Sequence, residues 1–355
     1  MNYPVKNTAI NPFVILMLLV CTACENAFME SPGNKSPMSV FEEFYQVMDE
    51  KYVLGNGYGF EYNYVMDSMR DVLKANPTDE QLKVLFDNLF QRIADGHSQM
   101  FTTTGENFHY DYLAGYPTIV DQQLLVDKYL NPDDFTFIKR EGNFGQQVID
   151  LAYGKLSKNP KIGYLYIPTF INLITDQQID KIFESLQTAE SLILDLRGNT
   201  GGYINVATNF ASRFYAQDTE IGVHRIKTEK DKIKDFPFTT FAAAKGKPAF
   251  LNKPVVVLID RNVYSSATFV AELLRGTVDP IFVGQRTGGG TSGFVSGILS
   301  NGWSYQIATS ELIRMDETGN EIRSNNGFEP DYKVVLNANN PETDEVLEKA
   351  INLLQ

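Results

Sequence analysis

The sequence predicts an α/β protein with a helical N-terminal part, and two observations carry that prediction. Between residues 39 and 96 the apolar residues recur at helical spacing. From residue 161 onward, apolar runs of strand length alternate with amphipathic runs of helix length. Such alternation argues for largely parallel strands, because parallel neighbours need a crossover and helices usually supply it.

The N-terminal stretch "MNYPVKNTAINPFVILMLLVCTACENAF" carries Lys6 ahead of an apolar run from Phe13 to Val20. A bilayer span takes roughly 20 apolar residues, so this shorter run reads as a secretory signal over residues 1–24. In "CTAC" the small Thr22 and Ala23 precede Cys24 as in a lipoprotein processing box, with an ordinary signal peptide as the alternative. That pattern expects an exported protein anchored in the cell envelope by lipid on Cys24, facing the periplasm or the outer surface. Cys21 and Cys24 are the only cysteines, so the exported body has no free thiol, and a cysteine nucleophile or cysteine-based zinc site is excluded. Residues 25–37, with "ESPGNKSP", read as a tether, 38–155 as a mainly helical domain and 156–355 as the α/β domain.

In the first domain, "SVFE" offers a capping box through Ser39 and Glu42, followed by Phe41, Phe44, Met48 and Tyr52 along one face. A second helix near residues 61 to 75 stops before Pro77. A third opens on Thr78 and Gln81, carries the stripe Leu82, Leu85, Phe86, Leu89 and Ile93, and ends at Gly96 as C-terminal cap. Residues 98 to about 155 are aromatic and mixed, without a clear period. Then come "KIGYLYIP", the helix "DQQIDKIFESLQTA", "SLILDLRG", the helix "NVATNFASRFY", "PVVVLID", the helix "SATFVAELLRG" and "PIFVGQ". A hairpin turning at "ETGN" and a last helix at about 341 to 354 complete the chain. With 44 acidic against 31 basic residues and a formal charge of −13, the composition of the 355-residue chain argues against nucleic acid or anionic lipid as a ligand, because both require a positive face.

Two turns suggest chemistry. "LILDLRGNTGG" closes a buried strand in a glycine-rich turn before a helix, where unobstructed N–H groups can hold an anion or simply make a tight connection. "VYSSATF" presents two serines between a strand and a helix, either as a nucleophile or as an N-cap. Local pattern leaves open which serine that is. "GGGTSG" matches a dinucleotide fingerprint through Gly288, Gly290 and Gly293, but strand-like "FVSGIL" follows where a helix is needed, so that reading fails.

Taken together and in order, "KIGYLYIPTF", "LILDLRGNTGG", "NVYSSATFVAELL", "VGQRTGGGTSG" and "NNGFEPDYKV" resemble the C-terminal processing and tricorn-core-type serine peptidases over residues 160 to 355. "LFQRIADGHSQM" is similar to the D-G-H element of the tricorn-like branch. The resemblance implies a crotonase- and Clp-protease-like α/β core, a polypeptide substrate, and no metal or organic cofactor. It implies Ser265 as nucleophile, with Thr268 in the family's acidic slot, and His97 as base. Ser266 and Gly201 (less readily Gly202) would supply the oxyanion amides, each worth roughly 2.7–4 kcal/mol of barrier. The processing branch uses a lysine 25 residues past the serine; here that slot is Gly290, and no lysine lies between Lys253 and Lys333. His224 reads as a strand residue and His109 as a loop residue. The family's orienting serine and glutamate are replaced by Gly96 and Ser324, so Ser324, Asp95, Glu321 and Glu329 are the candidates to hold the imidazole. These departures support an alternative, a catalytically weakened protein that binds peptides or apolar ligands. A crotonase-type acyl-CoA enzyme is a further reading that export disfavours. The stretch from His97 to Lys161 is short for a peptide-binding PDZ module, so the N-terminal helices are expected to cover the site.

Overall fold

Ser36 and Pro37 start the first helix, α1 (Pro37–Lys51): the Ser36 side chain accepts from the Ser39 N–H at 3.3 Å, and proline occupies the first turn. The cap therefore lies three residues ahead of the expected Ser39–Glu42 box, because proline pre-sets the first turn and frees Glu42 to pair with Arg70 at 2.5 Å. The computed structural model describes residues 35–53, 62–113, 116, 120–142, 146–171, 175–230, 232–240, 250–316, 318–337 and 340–355. The residues read as a signal sequence, Cys24 and most of the expected tether lie outside these residues, and among the described residues no helix is long and apolar enough to cross a membrane.

Helix α2 (Tyr62–Ala75) precedes α3 (Asp79–Ile93), capped as expected by Thr78, which accepts from Gln81 N–H at 3.2 Å. The Gln81 side chain accepts from Asn76 instead of completing a reciprocal box. Helix α3 ends on Ala94 in the left-handed conformation (φ 49°), two residues before the expected Gly96. Phe41, Phe44, Met48, Leu82, Phe86 and Leu89 are buried among the three helices and against Trp303, Tyr305 and Ile307.

The next strands are β1 (Gln99–Phe101), β2 (Asn107–His109), β3 (Phe135–Glu141), β4 (Gln147–Lys155) and β5 (Ile162–Tyr166). Then follow α4 (Asp176–Leu186), β6 (Ser191–Asp195), α5 (Ile204–Ala211), β7 (Thr219–Glu229), β8 (Lys232–Thr240), β9 (Val255–Ile259) and α6 (Ser266–Thr277). The chain closes with β10 (Ile281–Gly284), β11 (Phe294–Ile298), β12 (Ser304–Ala308), β13 (Ser310–Met315), β14 (Glu321–Arg323), β15 (Tyr332–Lys333) and α7 (Glu345–Leu353).

The central sheet runs β15-β10-β9-β6-β5-β4-β3. Its first five strands are mutually parallel, and β5, β6 and β9 are buried along their whole length, which is why they read as unbroken apolar runs. Residues 135–155, grouped with the helical part by sequence, form β3 and β4 and extend this sheet antiparallel. Helices α4, α5 and α6 pack on one face through residues such as Ile182, Phe210 and Val270. Helix α7 packs on the other through Val346 and Leu347. Two smaller sheets, β11-β12-β1-β2 and β14-β13-β7-β8, join distant segments, and β13 and β14 are the expected hairpin around "ETGN". His224 lies on β7 as expected, whereas His109 is the last residue of β2 and not part of a loop.

The "DLRG" turn is fixed from below by buried charge. Arg197 donates to Asp195 at 2.6 Å and to Asp344, the N-cap of α7, at 2.8 Å, while Tyr164 donates to Asp195 at 2.7 Å. Each charge has a partner, the condition under which buried ions are tolerated. The turn that follows is thereby anchored to both faces of the sheet.

Candidate active site

Strand β9 ends at Ile259, and the chain turns through "DRNVY" into Ser265, which adopts φ 54°, ψ −127°, a conformation that strains any residue with a side chain. The strain is held by neighbours on both sides: Tyr264 N–H donates to Asn199 O at 3.1 Å and Ser265 N–H to Gly289 O at 2.8 Å. Ser265 stands in the N-cap position of α6, yet its side chain makes no capping hydrogen bond. Its Oγ lies 3.2 Å from His97 Nε2. Thr268, in the slot that is acidic in the family, instead bonds back to Val263 O at 2.8 Å.

His97 is delivered by the end of α3. Asp95 accepts from the His97 N–H at 3.1 Å and from Ser98 Oγ at 2.6 Å, and Gln306 on β12 donates to His97 O at 2.7 Å. The ring is buried between Tyr264 and Phe294, with centroids 5.0 and 5.4 Å away. Burial holds the imidazole below its ordinary pKa against the opposing field of Asp95, so it is neutral at pH 7.

The second ring nitrogen corrects the sequence reading. His97 Nδ1 lies 3.1 Å from Ser292 Oγ, and Ser292 is in turn held by its N–H on Asn325 Oδ1 at 3.2 Å. None of the four expected orienting residues reaches the ring with its side chain. Ser324 donates to buried Glu272, Glu321 pairs with Arg225 and Arg323, and Glu329 lies 3.8 Å from Arg286. Asp95 fixes the backbone of His97 only. Ser292 carries no sequence signal beyond a hydroxyl in a glycine-rich loop, which explains why it was missed.

The glycine turn supplies a second correction. Gly201 N–H donates to Asn199 Oδ1 at 2.9 Å, so that amide is already engaged. Phe170 bridges to Gly202 through the N–H to Gly201 O and the Tyr203 N–H to Phe170 O, which leaves the Gly202 amide outside the ladder. Gly202 has φ +144° and lines the same cavity as Ser265, together with the first amide of α6 at Ser266. Buried Asn199 was also missed: it ties β5 (Ile167 O, 2.9 Å), the glycine turn and Tyr264 into one unit.

The lysine slot is closed by a ring. A Cβ on Gly290 would sit 2.2 Å from Tyr264 Cζ, and one on Gly96 2.4 Å from Tyr264 Oη. Glycine at both positions is therefore the counterpart of a tyrosine before Ser265. The N-terminal helices do not cover the site as expected; they pack behind β1 and β12, and the described residues lining the cavity come from the glycine turn, α5, β7, β8, α6, the loop leading to β11 and the first residue of β11. A larger cleft of about 810 Å³ on the far side of Gly198 and Thr200 touches neither Ser265 nor His97. Among the described residues no group of three or more His, Cys, Asp and Glu side chains could hold a metal.

A hydroxyl on a strained strand-to-helix turn, an imidazole within hydrogen-bond reach and a glycine-lined turn beside them, on a parallel α/β core, are the parts of a serine-type peptidase site. Residues 161–334 match the profile of peptidase family S41. The fold is shared with a candidate peptidase from Parabacteroides merdae ATCC 43184 (TM-score 0.75, 23% identity, covering 90% of this chain and 97% of that one). It is also shared with mature CPAF complexed with lactacystin (0.62, 15%, 90% and 98%). The tricorn protease aligns at TM-score 0.50 and 13% identity over 90% of this chain and 36% of its own. Among proteins of curated function none matches the sequence.

Proposed function

We propose that the chain is an exported, lipid-anchored serine endopeptidase that hydrolyses unfolded or flexible polypeptide segments through an acyl-enzyme. The observation that supports this most is the 3.2 Å contact between Ser265 Oγ and His97 Nε2, made by a serine that caps no helix. The neutral tautomer with its hydrogen on Nδ1 donates to Ser292, which leaves Nε2 to take the Ser265 proton. Ser265 Oγ then attacks the peptide carbonyl. The oxygen that becomes negative accepts from the amides of Ser266 and Gly202. The His97 imidazolium returns its proton to the leaving amine, and a water molecule repeats the sequence on the acyl-enzyme to release the acid. Endoproteolysis fits a cleft in which Ser265 is only partly exposed, since an extended chain can thread where a folded one cannot.

Export and anchoring are supported by the apolar run from Phe13 to Val20 and the "CTAC" box. Fatty-acid labelling of the chain in cells is expected, and its persistence in Cys24→Ala would remove the anchor from the account. Incubation of the purified protein with a reduced, alkylated polypeptide is expected to yield internal fragments, and the same polypeptide natively folded to stay intact. Equal cutting of both forms, or of neither, contradicts the reading.

Ser292→Ala tests the orienting hydrogen bond. One such bond contributes about 0.5–1.5 kcal/mol, so kcat is expected to fall about twofold to tenfold with KM unchanged, and Ser292→Thr to restore part of the loss. An unchanged kcat would leave His97 oriented by its aromatic neighbours alone.

A further inference from the structure

Beside the nucleophile, the residues lining one cavity carry no charged side chain. It measures about 370 Å³ and opens at Ser265, Ser266 and Gly202. Its walls are Phe238 and Phe269, set edge to face with centroids 4.9 Å apart, together with Ile204, Phe294 and His224. Among the described lining residues there is no Asp, Glu, Lys or Arg. His224 is held by Ser310 Oγ at 2.9 Å from Nε2, and burial keeps it below the ordinary histidine pKa, so it adds no positive charge at pH 7.

We infer that this cavity receives the side chain of the residue whose carbonyl Ser265 attacks, and that it selects a large uncharged side chain, aromatic or branched aliphatic. The inference rests on the peptidase reading above and narrows its substrate. A carbonyl held between Ser265 Oγ and the amides of Ser266 and Gly202 places the neighbouring Cα at the mouth of the cavity, because all three residues line it. An ammonium or carboxylate entering would lose its water and meet no opposite charge, whereas an apolar ring loses only contact with water. An alanine side chain would leave most of the space unfilled, and unfilled apolar space forfeits the packing that fixes the chain for attack.

Ile204 offers the decisive variant. It stands at the first position of α5, half exposed, and lines the cavity. A carboxylate there suits a helix N-terminus, so Ile204→Glu is compatible with the fold. The purified full chain is assayed on a set of internally quenched peptides that differ only at the residue before the cut: Phe, Leu, Ala, Lys or Glu. The expected kcat/KM for Phe and Leu exceeds that for Ala, Lys and Glu by at least tenfold, and Ile204→Glu raises the Lys-to-Phe ratio by at least tenfold. This gain cannot come from misfolding. A fluorophosphonate probe runs in parallel. Labelled protein that cuts all five peptides alike, or an Ile204→Glu variant with the parent's ranking, overturns the inference and leaves the peptidase reading standing. Protein that neither labels nor cuts overturns both.

Discussion

Ser265→Ala is expected to lower kcat on an unfolded polypeptide by about ten-thousand-fold to a million-fold while KM changes little, because the nucleophile acts only once the substrate is bound. What remains is the contribution of amides and binding alone, roughly a thousandfold over water. Ser266→Ala is the matched control. It keeps the backbone N–H, and its Oγ has no hydrogen-bond partner among the described residues, so activity is expected within a few-fold of the parent. Reversed effects would move the nucleophile one residue, to the first residue of α6, whose Oγ has no hydrogen-bond partner among the described residues. The comparison also separates chemistry from folding, since both substitutions remove one hydroxyl from the same turn.

His97→Ala is expected to cost a comparable factor in kcat, with the fold retained because the packing around the ring is supplied by Tyr264 and Phe294. Its pH dependence gives a second, independent reading. Burial lowers the His97 pKa in the folded protein, so the proton that would disable the base binds only below the ordinary histidine range of about 6.5. As pH falls through that value kcat/KM is expected to hold, and then to drop on a limb displaced to the acid side. The same displacement affects stability: the unfolded chain takes up that proton first, so the contribution of neutral His97 to folding is complete above about pH 6.5 and is lost as pH falls further. An acid limb at or above the ordinary histidine value would mean that the titrating group is another residue or that the ring is solvated during turnover.

Sequence reasoning reached the scaffold because its strands are buried on both faces. Runs such as "LILDL" and "VVVLI" have no alternation to confuse, and the intervening stripes have helical period. Residues 135–155 escaped because β3 and β4 are partly exposed and pair through a register shift between Ile138 and Lys139, which breaks the period that a strand would show. Within the site, Ser265 and His97 were legible from motifs, although 168 residues separate them. Ser292 was not: it meets His97 across 195 residues, through a loop held by Asn325, and no local pattern encodes such a meeting. The choice between the Gly201 and Gly202 amides was also invisible, since it depends on where the Asn199 side chain points. The missing family residues have a local physical cause as well. Tyr264 fills the volume that side chains at Gly96 and Gly290 would need, so neither the family's orienting serine nor its lysine fits beside Ser265.

The most direct measurement is the site of covalent attack. After reaction of the purified protein with a fluorophosphonate and digestion, mass spectrometry is expected to locate one phosphonylated residue, Ser265, with the rate of labelling falling at least a hundredfold in His97→Ala. An adduct on any other residue, or labelling of Ser265 at the parent's rate without His97, would contradict the pairing of that hydroxyl with that imidazole.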